Sequence, residues 1–176
     1  VIAFAGTTTA VAPARHDPVV EIEKRGTAVG RLRVLTALCS AVFAVGTVLH
    51  GWFVVTPDTL EAMMRMSGRT AAQAAAEAPG FLVGFRVVAA AYVVGNALGL
   101  LALRGWPWTF WLVVLVNATQ AAGPLGLIPP VLYRAAVEAH GPVGLLPTVV
   151  TDGGALVLVV VLVTRFLRTR ATWARA

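Results

Sequence analysis

Five side chains in this sequence place polar chemistry inside apolar runs: His50, Arg86, Asn117, Gln120 and Asp152. An ionised group at the centre of a bilayer costs about 3 kcal/mol on insertion scales, so groups kept there face the protein interior or water and find partners. Arg86 and Asp152 are opposite charges, and a guanidinium can hold a carboxylate through two parallel bonds. They are the expected pair. His50, Gln120 and Asn117 are expected to complete one polar layer around them, while Asn96 lies deeper and stands apart. Two uses of such a layer stand open. It is either a clasp that fixes helix register, or a pocket that binds a polar head group or relays a proton.

Other chemistry finds less support. Haem ligation calls for a second histidine at membrane depth, and His140 falls in a loop and His16 in the amino-terminal tail. Met63, Met64 and Met66, with His50 and His140, have the softness of a copper site, but methionines on a short amphipathic helix equally serve packing. There is no Gly-rich phosphate loop, no HExxH and no nucleophile elbow. No catalytic residue, metal or cofactor is therefore expected. The single Cys39 excludes an intrachain disulfide and reads as a small packing residue.

The elements that must position these residues follow from composition. Of 176 residues 58% are hydrophobic and only 12% charged, about half the charged fraction of a soluble domain. A spanning helix needs about twenty mainly apolar residues. Four runs qualify: 34–55 and 108–128 without Asp, Glu, Lys or Arg, 80–103 with Arg86 alone, and 145–166 with Asp152 and Arg165. The expected fold is all-α, a four-transmembrane-helix bundle over residues 31–168. Residues 1–30 are expected to be a mostly disordered cytoplasmic tail, since apolar Val1 to Gly6 lacks the basic flank of a secretory signal. Residues 169–176 read as a second, basic tail. Between the spans, Asp58 to Glu61 and Thr70 to Gln73 have capping-box spacing, with Ser67-Gly68 as a break. Pro129-Pro130 opens a further short helix that ends at Gly141. These three pieces would form a lid on the extracytoplasmic side.

The charge balance is 14 basic to 8 acidic residues, a net +6. The basic residues flank apolar runs instead of forming a separate face, which excludes nucleic acid as the expected partner and assigns them to membrane orientation. Lys24, Arg25, Arg31, Arg33, Arg104, Arg165, Arg168, Arg170 and Arg175 all fall on one side if the chain crosses four times. Both termini are then cytoplasmic. At about 1.5 Å per residue, His50, Arg86, Gln120 and Asp152 come to lie roughly 8–12 Å below the outer surface, with Asn117 about a turn deeper.

Helix packing is expected to use small residues. Gly80 and Gly84, then Gly95 and Gly99, form two small-xxx-small elements on one face of the second span, and Ser40, Ala44, Thr47 and Gly51 form a stripe on the first. These stripes pack the bundle or, alternatively, join a homodimer.

Span lengths, the short turn at Arg104, and the segment Phe85-Arg86-Val87-Val88-Ala89-Ala90-Ala91 leading into Gly95 and Gly99-Leu100 resemble the DoxX-like small four-helix bacterial membrane proteins over residues 34–167. The resemblance implies a compact bundle, in a family sometimes linked to redox or thiol-stress partners. Cys39 lends a thiol role no support, so the architecture is carried over and no activity. Abundant Ala, Val, Arg and Gly with few Lys looks like a GC-rich bacterial genome and hence a plasma membrane.

The function expected first is binding of a small amphiphile (lipid or quinone) or of a partner membrane subunit through the polar layer. A small proton-coupled transporter using Asp152 comes second, and a membrane enzyme last. The apolar stretches Leu98 to Leu103 and Leu156 to Val163 speak against a channel along the inner halves.

Overall fold

The computed structural model describes residues 18–173, and every regular element among them is helical. Helix α1 spans Pro18–Leu49. It starts inside the stretch expected to be a tail, with Pro18 at a first helical position, where its missing N–H costs nothing. Residues 1–17 lie outside the described residues. A π turn, His50–Val54, continues α1 to Val55, where the backbone becomes extended.

Helix α2 spans Pro57–Met66, and its cap is Thr56 instead of the expected Asp58. Pro57 occupies the first helical position, which holds Thr56 extended, and the Thr56 hydroxyl accepts the Thr59 amide at 3.2 Å. Gly68, at φ +90°, makes the break. Helix α3, Ala71–Gly99, opens on the full capping box of Thr70 and Gln73. A 3-10 turn, Leu100–Arg104, and Gly105 lead into α4, Pro107–Ala121. A second π turn, Gly123–Leu127, precedes α5, Pro130–His140. After a 3-10 turn at Gly141–Leu145 come the single turn α6, Leu146–Thr148, a third π turn, Val149–Gly153, and α7, Gly154–Thr169.

The long helices close on one another pairwise: α1 lies along α3 and α7, and α4 along α7 and α3. Their shared core runs from Val29 and Leu32 through Phe43, Phe110 and Val113 to Leu158 and Leu162. A second, separate core holds Val55, Leu60, Met63, Met64, Ala74, Ala78, Leu82, Leu132 and Ala135. It joins α2, the first turns of α3 and α5 into one cap. Met63 and Met64 are buried in its packing. His140 Nε2 lies 3.1 Å from the Val54 carbonyl and ties the end of α5 to the end of the first π turn.

Three segments are long and apolar enough to cross a membrane: Gly26–Val54, Ala71–Arg104 and Pro130–Thr169. They contain almost all of three sequence-predicted spans. The fourth, 108–128, is divided between α4, which has 15 residues, and the π turn after it. At about 1.5 Å per residue α4 alone rises roughly 22 Å, short of the ~30 Å hydrocarbon core. The outward faces suit lipid: Val45, Val87, Leu115 and Val157 are each more than 60% exposed, whereas a water-facing surface is broken up by charge.

The carboxyl-terminal tail folds back as far as Trp173. That ring is buried edge-on against Phe110, its indole N–H donates to the Trp106 carbonyl at 3.0 Å, and its carbonyl accepts from the Arg33 guanidinium. Residues 174–176 lie outside the described residues.

The small residues divide into two kinds. A Cβ on Gly99 would collide with Ser40, one on Gly95 would lie 3.0 Å from Val116, and one on Gly51 would lie 3.1 Å from Ala89. Ser40 is fully buried and Ala44 half-buried, in keeping with contact faces. Gly80 and Gly84, expected to pack in the same way, meet nothing within 4 Å. On that face of α3 no neighbouring helix comes close. Gly99→Ala should therefore destabilise the protein by about 1–3 kcal/mol through overpacking, while Gly84→Ala should stay within about 0.5 kcal/mol of the parent or gain slightly. Thermal unfolding of the two variants in one detergent checks this; equal midpoints would refute it.

Candidate functional site

Where the π turns meet, the polar side chains converge. Gln120, near the end of α4, is the hub. Its Oε1 accepts from Asn96 Nδ2 at 3.0 Å and its Nε2 reaches Thr47 Oγ1 at 3.4 Å, while Asp152 lines the same cavity. Asp152 Oδ1 accepts from the Thr151 hydroxyl at 3.0 Å. Its other oxygen, Oδ2, faces Gly123, 3.4 Å from where a Cβ there would stand. One turn earlier, the Thr148 hydroxyl shares a 3.1 Å hydrogen bond with His50 Nδ1. Thus α1, α3, α4 and the run before α7 each supply a polar group to one layer.

Arg86 does not pair with Asp152. Its Nε donates to the Gly51 carbonyl at 3.4 Å, and its guanidinium lies 6.0 Å from the centre of the Trp52 ring. The physical reason is the end of the first helix. Gly51 belongs to the closing turn before Val55, where carbonyls run out of amide partners, and a cation there satisfies a carbonyl and complements the helix dipole. Asp152 meanwhile accepts from the neutral Thr151 hydroxyl. Counting residues into each apolar run carries no information on direction around the helices.

Asn117 is also off the hub. It is buried, and its Nδ2 donates to the Val113 carbonyl of its own helix at 2.8 Å. Asn96, which depth alone sets apart, is an integral member instead. Thr47 was visible only as a small residue in a stripe. Thr148 and Thr151 were missed; as hydroxyls flanking a buried carboxylate, their sequence signal was adjacency to Asp152.

A cavity of about 540 Å³ opens beside this hub. Its inner wall carries Thr47, His50, Gln120, Thr151 and Asp152, and its sides are mainly Phe81, Phe85, Val88 and Ile128. The rim lies between α3 and α4, where Phe81, Gly84, Val88 and Thr119 are exposed on the outer surface. His50 Nε2 is buried without a hydrogen-bond partner among the described residues, and so is the Tyr133 hydroxyl. Chemically this is an amphiphilic chamber: acceptor and donor atoms at one end, hydrocarbon along the rest. No group of three or more metal-binding side chains occurs among the described residues.

Comparison with family models, curated proteins and solved structures yields no match, and none identifies a DoxX-like family.

A double-mutant cycle separates the two pairings. Arg86→Met and Asp152→Asn should be additive to within about 0.5 kcal/mol, as expected for side chains that share no partner. Gln120→Leu and Asn96→Leu should couple by about 1 kcal/mol, because either change alone strands a buried polar group. Unfolding free energies of the six variants in one detergent provide the readout.

Proposed function

We propose that the chain is a membrane protein crossing the bilayer four times, and that it binds a small amphiphile in the cavity between α3 and α4. The fourth crossing would be α4 together with its π turn, and the basic ends of α1 and α7 would face the cytoplasm. The cap of α2 and α5 would lie on the opposite side.

The single observation that carries the binding reading is the cavity's polarity. Its closed end presents Asp152, Gln120 and His50, and its open side passes between apolar, exposed residues toward the surrounding lipid. About 540 Å³ lies within the range of small-molecule sites. A ligand with a hydrogen-bonding head and a hydrocarbon body matches both ends, and it could enter sideways from the membrane. The head would accept from or donate to His50 Nε2 and donate to Asp152. Burial of Gln120 and Asp152 supports a small ligand over a partner subunit, which would need the layer at the surface. The three π turns add support, since such turns occur disproportionately at functional sites.

The transporter reading has one observation in its favour. Buried hydroxyls and amides continue from the hub toward the far end, through Asn117 and Ser40 to Thr36, with unpartnered oxygens on each. A proton relay through Asp152 would use them.

Gly84→Trp tests the binding function, because a side chain there enters open space at the cavity wall. Amphiphile co-purifying with the protein, extracted and quantified by mass spectrometry, should fall at least about tenfold while the unfolding midpoint holds or rises, as filling a void permits. Asp152→Asn should weaken retention by about tenfold, the worth of one charge-assisted hydrogen bond. Equal retention by all three proteins would sink the reading. In proteoliposomes, proton flux lost in Asp152→Asn but present in the parent would decide for transport.

A further inference from the structure

At the end of the molecule remote from the cap, α1 and α7 diverge around a groove of about 770 Å³. Three arginines line it: Arg31 from α1, and Arg165 and Arg168, spaced three apart on one face of α7. None of their guanidinium groups has a hydrogen bond or ion pair among the described residues. Four other arginines of the described chain are held, while Arg65, Arg134 and Arg170 lie exposed outside the groove. Arg33 donates to the Trp173 carbonyl, Arg69 pairs with Glu77, Arg86 serves Gly51, and Arg104 lies over the Trp106 ring. Among the described residues no acidic side chain lines the groove.

The groove has a direction. The arginines occupy one end, and Leu35, Val160 and Val161, all exposed, occupy the other. From Arg31 to Leu35 is one helical turn, so charge gives way to hydrocarbon over about 6 Å. A free phosphate would satisfy the first end and leave the second in contact with nothing. A zwitterionic lipid would bring its own cation toward three guanidinium groups.

We propose that this groove is a binding site for an anionic phospholipid, with the phosphate held among Arg31, Arg165 and Arg168 and an acyl chain laid along Leu35, Val160 and Val161. Guanidinium groups grip phosphate oxygens through paired bonds, and basic pockets between membrane helices hold anionic head groups by this attraction. The groove shares with the amphiphile cavity only a location in a membrane, and no residue near Asp152 takes part in it.

The experiment places the full chain in nanodiscs of phosphatidylglycerol or of phosphatidylcholine, and counts retained lipid by native mass spectrometry after detergent exchange. The parent should retain phosphatidylglycerol preferentially. The Arg165→Gln/Arg168→Gln double variant should lose that retention on the order of twentyfold, while Arg134→Gln, on the exposed face of α5, should not. Equal retention of both lipids, or undiminished retention in the double variant, overturns the proposal. So does stabilisation of the detergent-solubilised parent by inorganic phosphate or glycerol phosphate to the extent phosphatidylglycerol gives, which would make the occupant a soluble anion. Should the double variant fail to fold, retention by the parent across a salt series decides: it should fall as salt rises, and a salt-insensitive preference refutes the site.

Discussion

The contact on which the interior depends is the side chain of Gln120. Apolar helices in lipid gain little from one rotation over another, because hydrocarbon outside is as good a neighbour as hydrocarbon inside. A buried amide is different, since each unmade bond to it costs free energy with no water to take its place. Gln120 has two ends to satisfy, and it does so with Asn96 of α3 on one side and with Thr47 of α1 on the other. Those partners come from two other helices. Turning either of them by half a turn would leave the amide unsatisfied, so the hub fixes register where apolar packing would leave it loose.

The π turns belong to the same constraint. Each of the turns at His50–Val54, Gly123–Leu127 and Val149–Gly153 holds or adjoins a member of the polar layer. Fitting one extra residue into a turn rotates the downstream side chains by roughly 100° relative to a regular helix. Arg86 meets a carbonyl within the first π turn, while Asp152, inside the third, is turned toward Thr151 and Gly123. Asp152 is a buried carboxylate that accepts from the neutral Thr151 hydroxyl, keeps one oxygen beside Gly123 and makes no salt bridge among the described residues.

What the sequence made legible were quantities that depend on length, depth and local chemistry. The capping box at Thr70 and Gln73, the helix opening at Pro130 and its end at Gly141 come from short-range rules, and all are present. The convergence of His50, Gln120 and Asp152 on one level comes from counting residues into each apolar run. Direction around the helix was not legible, because a 3.6-residue period cannot be carried through a π turn that nothing in the residue pattern announces. Thr148, which stands directly before the third π turn, was lost for that reason, whereas Asn96, in the regular helix α3, was set apart by depth alone. Trp173 was lost for another: a basic tail reads as solvated until the arginine at position 33 is seen to hold its backbone and Phe110 its ring.

The glycines of α3 show how one sequence element can be put to opposite uses. Gly95 and Gly99 let Val116 and Ser40 approach the backbone, and they hold α3 against α4 and α1 at one end. Gly80 and Gly84 have the same spacing but no neighbour, so their missing side chains become clearance instead of contact. Pinned together at Gly95 and apart at Gly84, α3 and α4 must diverge toward the cap, and the space between them is the cavity wall. The polar hub sits at the vertex of that divergence, beside Gly95, because Asn96 faces Gln120 only where the helices are still close. The position of the cavity and the position of its polar end are therefore a single consequence of where close packing stops.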